Sequence, residues 1–160
     1  MFSLKNSPTA KKLSRPSRGG MAGRTLTIQA FLDQIQAIRD LVRLAASDAG
    51  FKEDENYAVQ LAVSEACENI ILHGYGQENE APIHVEIQVD PGEIQITLWD
   101  QAPPFNPATD PEQPQWSPDD PPIGGLGLII IHRVMDEIQY SRKGDRNQLI
   151  MLKRSAAIQA

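Results

Sequence analysis

The sequence contains a single cysteine, Cys67, among its 160 residues. One thiol cannot form an internal disulfide, and no group of cysteine and histidine residues has the spacing of a zinc site. A domain of this length, with 41% hydrophobic residues, can bury a sufficient core without such crosslinks. These features indicate one folded domain in a reducing, cytoplasmic setting.

Long apolar runs are also missing. The longest one, residues 126–131, is far shorter than the roughly 20 residues that a helix needs to cross a bilayer. The sequence therefore predicts no membrane partner.

The N-terminal region has no acidic residue before Asp33, and its first 24 residues carry six lysine and arginine side chains. It is rich in serine and proline and lacks apolar periodicity, so it cannot bury enough surface to offset the entropy of ordering. We expect residues 1–22 to be a disordered basic tail, either a functional arm or a non-native extension that ends before Met21. The rest of the chain has 9 basic and 21 acidic residues, and this net charge of −12 argues against nucleic acid binding.

Apolar periodicity predicts one domain over residues 23–154, followed by a short tail at 155–160. Residues 25–28 alternate like a short strand, and apolar residues at helical spacing then predict two helices that end near Gly50 and Gly74. The apolar positions are Phe31, Ile35, Ile38, Val42 and Ala45 in the first helix, and Val59, Ala62, Val63, Ala66 and Ile70 in the second.

Four further strands are predicted in two hairpins, which are separated by a loop and a third helix. The first hairpin alternates over residues 83–89 and 94–98 about a turn at Pro91-Gly92, and the second turns at residues 144–147. The order β-α-α-β-β-loop-α-β-β predicts an α+β sandwich, with the helices on one face of a mixed, mainly antiparallel sheet.

Asp100 has the same parity as the apolar residues of the strand that precedes it, which would point its carboxylate toward the helices. A buried, unpaired charge is costly, so a ligand that donates a hydrogen bond could explain this position. Alternatively, the strand ends before Asp100, and the side chain caps a turn.

A loop rich in proline is predicted over residues 102–122, which contain eight of the twelve prolines. Loops of this length inside a compact domain often serve as lids or binding segments. Phe105 and Trp116 could anchor this loop on the domain or stack on a ligand.

Glycines at positions 124, 125 and 127 follow the loop and precede the apolar run of the third helix. Backbone N–H groups at such a junction can approach an anion closely, and the helix dipole adds positive potential, which suits a polyphosphate. Hinges and tight packing also require glycine, so the cluster alone does not identify a nucleotide site.

Glu65 and Asn69 are four residues apart on the second predicted helix, so their side chains project from one face. The carboxylate could accept a proton from an attacking hydroxyl, and the carboxamide oxygen could bind Mg²⁺. Taken alone, such a pair is more often an exposed polar face. Its combination with Asp100, the long loop and the glycines favours a metal-nucleotide site.

In this combination, Glu65-x-x-x-Asn69, Asp100 and Gly124-Gly125-Leu126-Gly127-Leu128 resemble the N, G1 and G2 boxes of the GHKL ATPase superfamily, named for gyrase, Hsp90, histidine kinase and MutL.

Within this superfamily, residues 63–75 and Gly127-Leu128 followed by residues 135–137 are most similar to the anti-sigma-factor serine/threonine kinases of bacterial partner switching. The resemblance spans about residues 24–153. It departs from the G1 box at Ala102, where the superfamily usually has glycine, and two prolines follow.

The resemblance implies a Bergerat-type ATP site with a long lid. Asn69 would coordinate Mg²⁺, Glu65 would act as the base or orient the nucleophile, and Asp100 would accept a hydrogen bond from the adenine amino group. Backbone contacts to the phosphates would come from Gly125, Leu126, Gly127 and Leu128.

The same resemblance implies an ATP-dependent kinase whose substrate is a serine or threonine of a STAS-domain anti-anti-sigma protein. A sigma factor would be its second partner, and homodimers are common in the family. The alternative is a nucleotide-sensing adaptor that binds ATP and a protein without efficient phosphotransfer. Glu65 favours the kinase, because a pure ATP-binding scaffold has no chemical need for that carboxylate, whereas the prolines after Asp100 favour the adaptor.

Overall fold

Residues 23–108 and 126–156 are described by the computed structural model, in which a layer of helices packs on one face of a sheet. The predicted tail at 1–22 lies outside the described residues, as do Trp116 and Gly125. Within the described ranges, none of the helices combines the length and the apolar character that crossing a membrane requires.

The elements follow the predicted order. The first half comprises β1 (Arg24–Ala30), a 3₁₀ turn (Leu32–Gln34), α1 (Ile35–Asp48), α2 (Glu53–Asn69) and a π-helical turn (Ile70–Gly74). The second half comprises β2 (Asn79–Asp90), β3 (Glu93–Asp100), α3 (Leu126–Val134), β4 (Glu137–Lys143) and β5 (Arg146–Arg154).

The sheet has the strand order β1-β2-β3-β5-β4, and each of these pairs is antiparallel. The predicted α+β sandwich is confirmed, but the described sheet is antiparallel throughout and not mixed. The connection through α3 does bring β4 into the same direction as β3. These two strands do not pair, because β5 occupies the place between them and is antiparallel to both.

The core lies between the helices and one face of the sheet. The predicted apolar positions of α1 and α2 are buried there, except Phe31, which precedes α1 and is partly exposed. They meet alternate residues of the central hairpin, which are fully or almost fully buried: Ile83, Val85, Ile87, Ile94, Ile96 and Leu98. Burying each of these larger side chains contributes roughly 1.5–3 kcal/mol relative to leaving it in water.

The turn between β4 and β5 is shorter than predicted. It contains only Gly144 and Asp145, because Gly144 adopts the positive φ of 62° that a two-residue hairpin turn favours. Asn147, which was predicted to lie in this turn, is a buried residue of β5 and faces Asp100 across the ladder.

The ordered chain continues past β5. Ser155 is buried and donates its backbone N–H to the carbonyl of Gly92 at 2.8 Å. The Glu55 carboxylate on α2 accepts hydrogen bonds from the Ser155 hydroxyl and from the backbone N–H of Ala156. Residues 155 and 156 therefore pack on the domain.

Candidate functional site

The C-terminal end of α2 carries Glu65 and Asn69 on the same face. Asn69 is 7% exposed, and Glu65 is partly exposed. The π-helical turn begins directly after Asn69, and the N–H of Tyr75 donates to the carbonyl of Ile70 at 2.8 Å. Such turns are rare and frequently occur at functional sites.

The first turn of α3 packs against this pair. A Cβ atom on Gly127 would lie 2.6 Å from Oε2 of Glu65 and 3.6 Å from Oδ1 of Asn69. A side chain at position 127 would therefore displace the Glu65 carboxylate from its place between the two helices. Leu126 is exposed beside it and Leu128 is partly buried, so the described part of the predicted phosphate-binding segment lies next to the carboxylate and the carboxamide.

The environment of Glu65 makes its carboxyl group more basic than usual. Partial burial raises the pKa of Glu65, and the nearby negative charge of Glu68 raises it further. A carboxylate whose pKa is raised toward neutrality is a better proton acceptor.

The carboxamide of Asn69 has unused hydrogen-bonding capacity. Its Nδ2 atom is buried and has no hydrogen-bond partner among the described residues, which is unusual for a buried polar group. Residues 23–108 and 126–156 contain no group of three or more His, Cys, Asp or Glu side chains that could hold a metal. Because Mg²⁺ is commonly bound by few protein oxygens together with water and phosphate oxygens, a single carboxamide beside the predicted phosphate-binding segment fits this ion.

Asp100 is the last residue of β3 and is 6% exposed. The strand includes Asp100, so the alternative that it ends earlier is wrong, although Oδ1 also caps a turn by accepting a hydrogen bond from the N–H of Ala102 at 2.9 Å. Burial raises the pKa of Asp100, although the hydrogen bonds from Asn147 and Ala102 and the charge of Arg142 oppose this effect.

A pocket connects Asp100 with Asn69. It lies between the end of α2, the start of the long loop and the strands β3, β4 and β5, and its walls are mainly apolar. The lining residues are Ala66, Asn69, Ile70, Gly74, Asp100, Ala102, Phe105, Pro107, Tyr140, Asn147 and Leu149. Apolar walls with a few fixed polar groups are typical of sites for small organic ligands.

Ala102, which departs from the superfamily pattern, fits into this pocket wall. A Cβ atom on Gly74 would lie 3.0 Å from the methyl group of Ala102. The missing side chain at Gly74 therefore provides the space that the extra methyl group needs, and the turn at Asp100 keeps its hydrogen bond.

The start of the long loop is held on α3. Nε2 of His132 donates a hydrogen bond to the carbonyl oxygen of Pro107 at 2.8 Å, and Phe105 lines the pocket. Both roles considered for Phe105 are compatible with this position, because the residue is partly buried and also lines the pocket.

Asn147 is a pocket-lining residue that the sequence interpretation missed. Asparagine beside Gly-Asp is typical of a turn, which explains the misplacement. The sequence did contain one indication that Asn147 is buried. It lies two and four positions before Leu149 and Met151, both of which are buried on the helix side of β5, and alternate residues of a strand share a face.

Comparisons with known proteins agree with this architecture. The model of the histidine kinase-like ATPase domain matches residues 28–153. The serine-protein kinase RsbW of Bacillus velezensis is 29% identical over 119 residues, which cover 71% of this chain and 74% of the relative. The anti-sigma F factor of Heyndrickxia coagulans is 28% identical over 108 residues, which cover 66% of this chain and 73% of the relative.

A solved structure shares the fold. The RsbU and RsbW domains of Rv1364c from Mycobacterium tuberculosis superpose with a TM-score of 0.58 at 15% identity, over 84% of this chain and 32% of that longer chain. This likeness supports the predicted GHKL-type sandwich. Because the domain model matches most of the sequence, the chain belongs to the family of histidine kinase-like ATPase domains.

Proposed function

We propose that this chain is an ATP-dependent serine/threonine protein kinase that phosphorylates a STAS-domain anti-anti-sigma protein and acts as an anti-sigma factor in partner switching. Relatives named serine-protein kinase and anti-sigma F factor support this function. The observation that carries it is the position of the Glu65 carboxylate, which lies against the first turn of α3 beside Asn69.

The geometry supports one placement of the nucleotide. The adenine would occupy the apolar pocket, with its amino group donating to the carboxylate of Asp100. The phosphates would lie at the start of α3, where free backbone N–H groups favour anions. These groups would come from Gly125, Leu126, Gly127 and Leu128, and Asn69 would hold Mg²⁺ through its carboxamide oxygen.

The chemistry follows from the same arrangement. Glu65 would accept the proton of the substrate hydroxyl as the hydroxyl oxygen forms a bond to the γ-phosphorus. The bond from that phosphorus to the bridging oxygen breaks, and ADP leaves with the bonding electrons. Bound Mg²⁺ would neutralise phosphate charge. The raised pKa of Glu65 supports its role as the base, because it narrows the difference in basicity between the carboxylate and the hydroxyl.

The proposal extends to partners and boundaries. The kinase domain would span residues 23–154, with the basic tail before it, and a sigma factor would be the second protein partner. That partner would place the protein in the cytoplasm. A homodimer is the proposed assembly, following the family resemblance.

The adaptor alternative was favoured by the prolines that follow Asp100, and Ala102 beside them departs from the family pattern. In the described structure the Ala102 methyl group fits against Gly74, and the backbone N–H of Ala102 donates a hydrogen bond to Asp100. This departure from the family pattern therefore gives no particular support to a site that binds nucleotide without transferring phosphate.

The test is phosphotransfer by the purified chain. We would incubate it with Mg-ATP and candidate STAS-domain proteins, locate the phosphate by mass spectrometry, and compare Glu65→Gln. Removing a general base should lower the rate by about 10²–10⁴-fold. Binding of Mg-ADP should persist, since the glutamine has nearly the same size. Glu53→Gln, an exposed residue at the start of the same helix, should behave as the wild type.

Two other results would separate the hypotheses. Nucleotide binding without phosphate transfer to any STAS-domain protein would contradict the kinase and leave the adaptor. Absence of nucleotide binding would contradict both functions.

A further inference from the structure

Asn147 lies at the centre of a buried hydrogen-bond network in the wall of the pocket. Its Nδ2 atom donates to Oδ1 of Asp100 at 2.9 Å and to the carbonyl of Ala102 at 3.0 Å. Its Oδ1 atom accepts from the hydroxyl of Tyr140 at 2.6 Å and from the guanidinium of Arg142 at 2.9 Å. Asn147 itself is 4% exposed.

The network determines the orientation of the carboxamide. Tyr140 and Arg142 both present donors to one end, so the oxygen must lie there. The other end faces the Asp100 carboxylate and the carbonyl of Ala102, which only accept, so the NH₂ group must lie there. A flipped amide would lose the bonds with Arg142, Asp100 and Ala102, and only the Tyr140 hydroxyl, which can also accept, could still pair with it.

This orientation distinguishes the two oxygens of Asp100. Oδ1 accepts from Ala102 and from Asn147, so the protein already uses it. Oδ2 receives no hydrogen bond from any residue in the described part of the chain, and Asp100 lines the pocket. The carboxylate therefore offers one free acceptor to a ligand.

We propose that Asn147 is a positioning residue that determines which purine the pocket accepts. It acts through Asp100, whose Oδ1 it holds while Oδ2 stays free for the exocyclic amino group of a 6-aminopurine. A 6-oxopurine such as guanine would place a carbonyl oxygen against this carboxylate, and two acceptors repel. This inference rests on the proposed nucleotide-binding function.

Asn147 also donates to the carbonyl of Pro103 at 3.3 Å and thereby ties down the start of the long loop. A purely structural role is therefore the rival explanation, and overall affinity cannot separate the two. The ratio of the dissociation constants for two purine nucleotides can do so, because a loosened loop would weaken both nucleotides equally.

The experiment measures the binding of Mg-ADP and Mg-GDP to the full chain by calorimetry. Asn147→Leu keeps the approximate size but removes the donor to a charged group, which should weaken Mg-ADP about tenfold. Binding of Mg-GDP should change by less than about twofold, since its base does not use the free oxygen. Preference for adenine should therefore fall.

Two further variants keep the test decisive. Tyr140→Phe removes one of the donors that orient Asn147 and retains the ring, so it should lower the adenine preference in the same direction even where Asn147→Leu folds poorly. Asn56→Leu is the matched control, because Asn56 is also a buried asparagine that bonds at both ends, to Arg43 and Gln60, on another part of the domain. Its adenine preference should equal that of the wild type.

Failure of this inference and failure of the proposed function would give different results. Equal weakening of Mg-ADP and Mg-GDP by Asn147→Leu and Tyr140→Phe would overturn this inference and leave the proposed function standing. A wild-type chain that binds neither nucleotide would overturn the proposed function, and the inference with it.

Discussion

At the scale of single residues, Glu65 is affected by two influences that act in the same direction. Burial and the charge of Glu68 both disfavour the ionised carboxylate and raise its pKa above the ordinary value of 4.5. Only the ionised form can accept a proton. Phosphotransfer should therefore decline on acidification at a higher pH than an ordinary glutamate would allow.

Glu68→Gln tests this interpretation. The substitution removes a negative charge and lowers the pKa of Glu65, so the carboxylate stays ionised at lower pH. We expect the acid limb of the rate profile to move to lower pH, with an unchanged rate at neutral pH. Initial rates across the mildly acidic range measure this shift. Glu53→Gln, far from the site, should leave the profile in place, and a shift to higher pH in Glu68→Gln would contradict the assignment.

At the scale of elements, the contact between α2 and α3 determines where the carboxylate of Glu65 lies. A methyl group at Gly127 would approach Oε2 of Glu65 to 2.6 Å. The end of a glutamate side chain can rotate away more easily than a helix can move. We therefore expect Gly127→Ala to displace the carboxylate, with a loss of about tenfold to a hundredfold in kcat.

Stability should respond differently in the same variant. Alanine favours a helix over glycine by roughly 1 kcal/mol, so the melting temperature of Gly127→Ala should not fall appreciably. The control is Gly50→Ala, where a Cβ atom has open space but φ is 86°. It should lower the melting temperature and preserve kcat. Equal effects of both variants on kcat would mean that the close approach of Gly127 has no functional role.

The elements themselves were largely predictable from the sequence. Periodic apolar residues determined α1, α2 and the central hairpin, because each of these elements buries one face. The sequence could not indicate that β5 lies between β3 and β4, since strand order depends on pairing between distant segments. The role of Asn147 was hidden for the same reason, because its partners are brought to it only by that pairing.

At the scale of the whole molecule, the pocket is assembled from α2, the start of the long loop and three strands. A ligand that binds only this folded arrangement stabilises the entire cooperative unit. Mg-ADP at about 100 times its dissociation constant should add about 2.7 kcal/mol to the free energy of unfolding. Thermal melts with and without nucleotide measure this effect as a rise of several degrees.

Removal of the metal tests whether Asn69 binds Mg²⁺. Adding a chelator should reduce the stabilisation by ADP, because the phosphates would lose the ion that is proposed to link them to Asn69. Asn69→Leu should show the smaller shift with or without Mg²⁺. If the chelator left the melting temperature of the wild type with ADP unchanged, the assignment of Asn69 as a magnesium ligand would be contradicted.

The placement of β5 also has a consequence for biosynthesis. β5 follows β3 only after the long loop, α3 and β4, yet it is the one described strand that pairs with both β3 and β4. During vectorial synthesis, β3 must wait with one edge unpaired until β5 emerges, and an exposed strand edge invites pairing with other chains. Asp100 likewise lacks Asn147 until that moment. A nascent or truncated chain that ends before residue 146 would therefore have no nucleotide pocket and would depend on protection from chaperones.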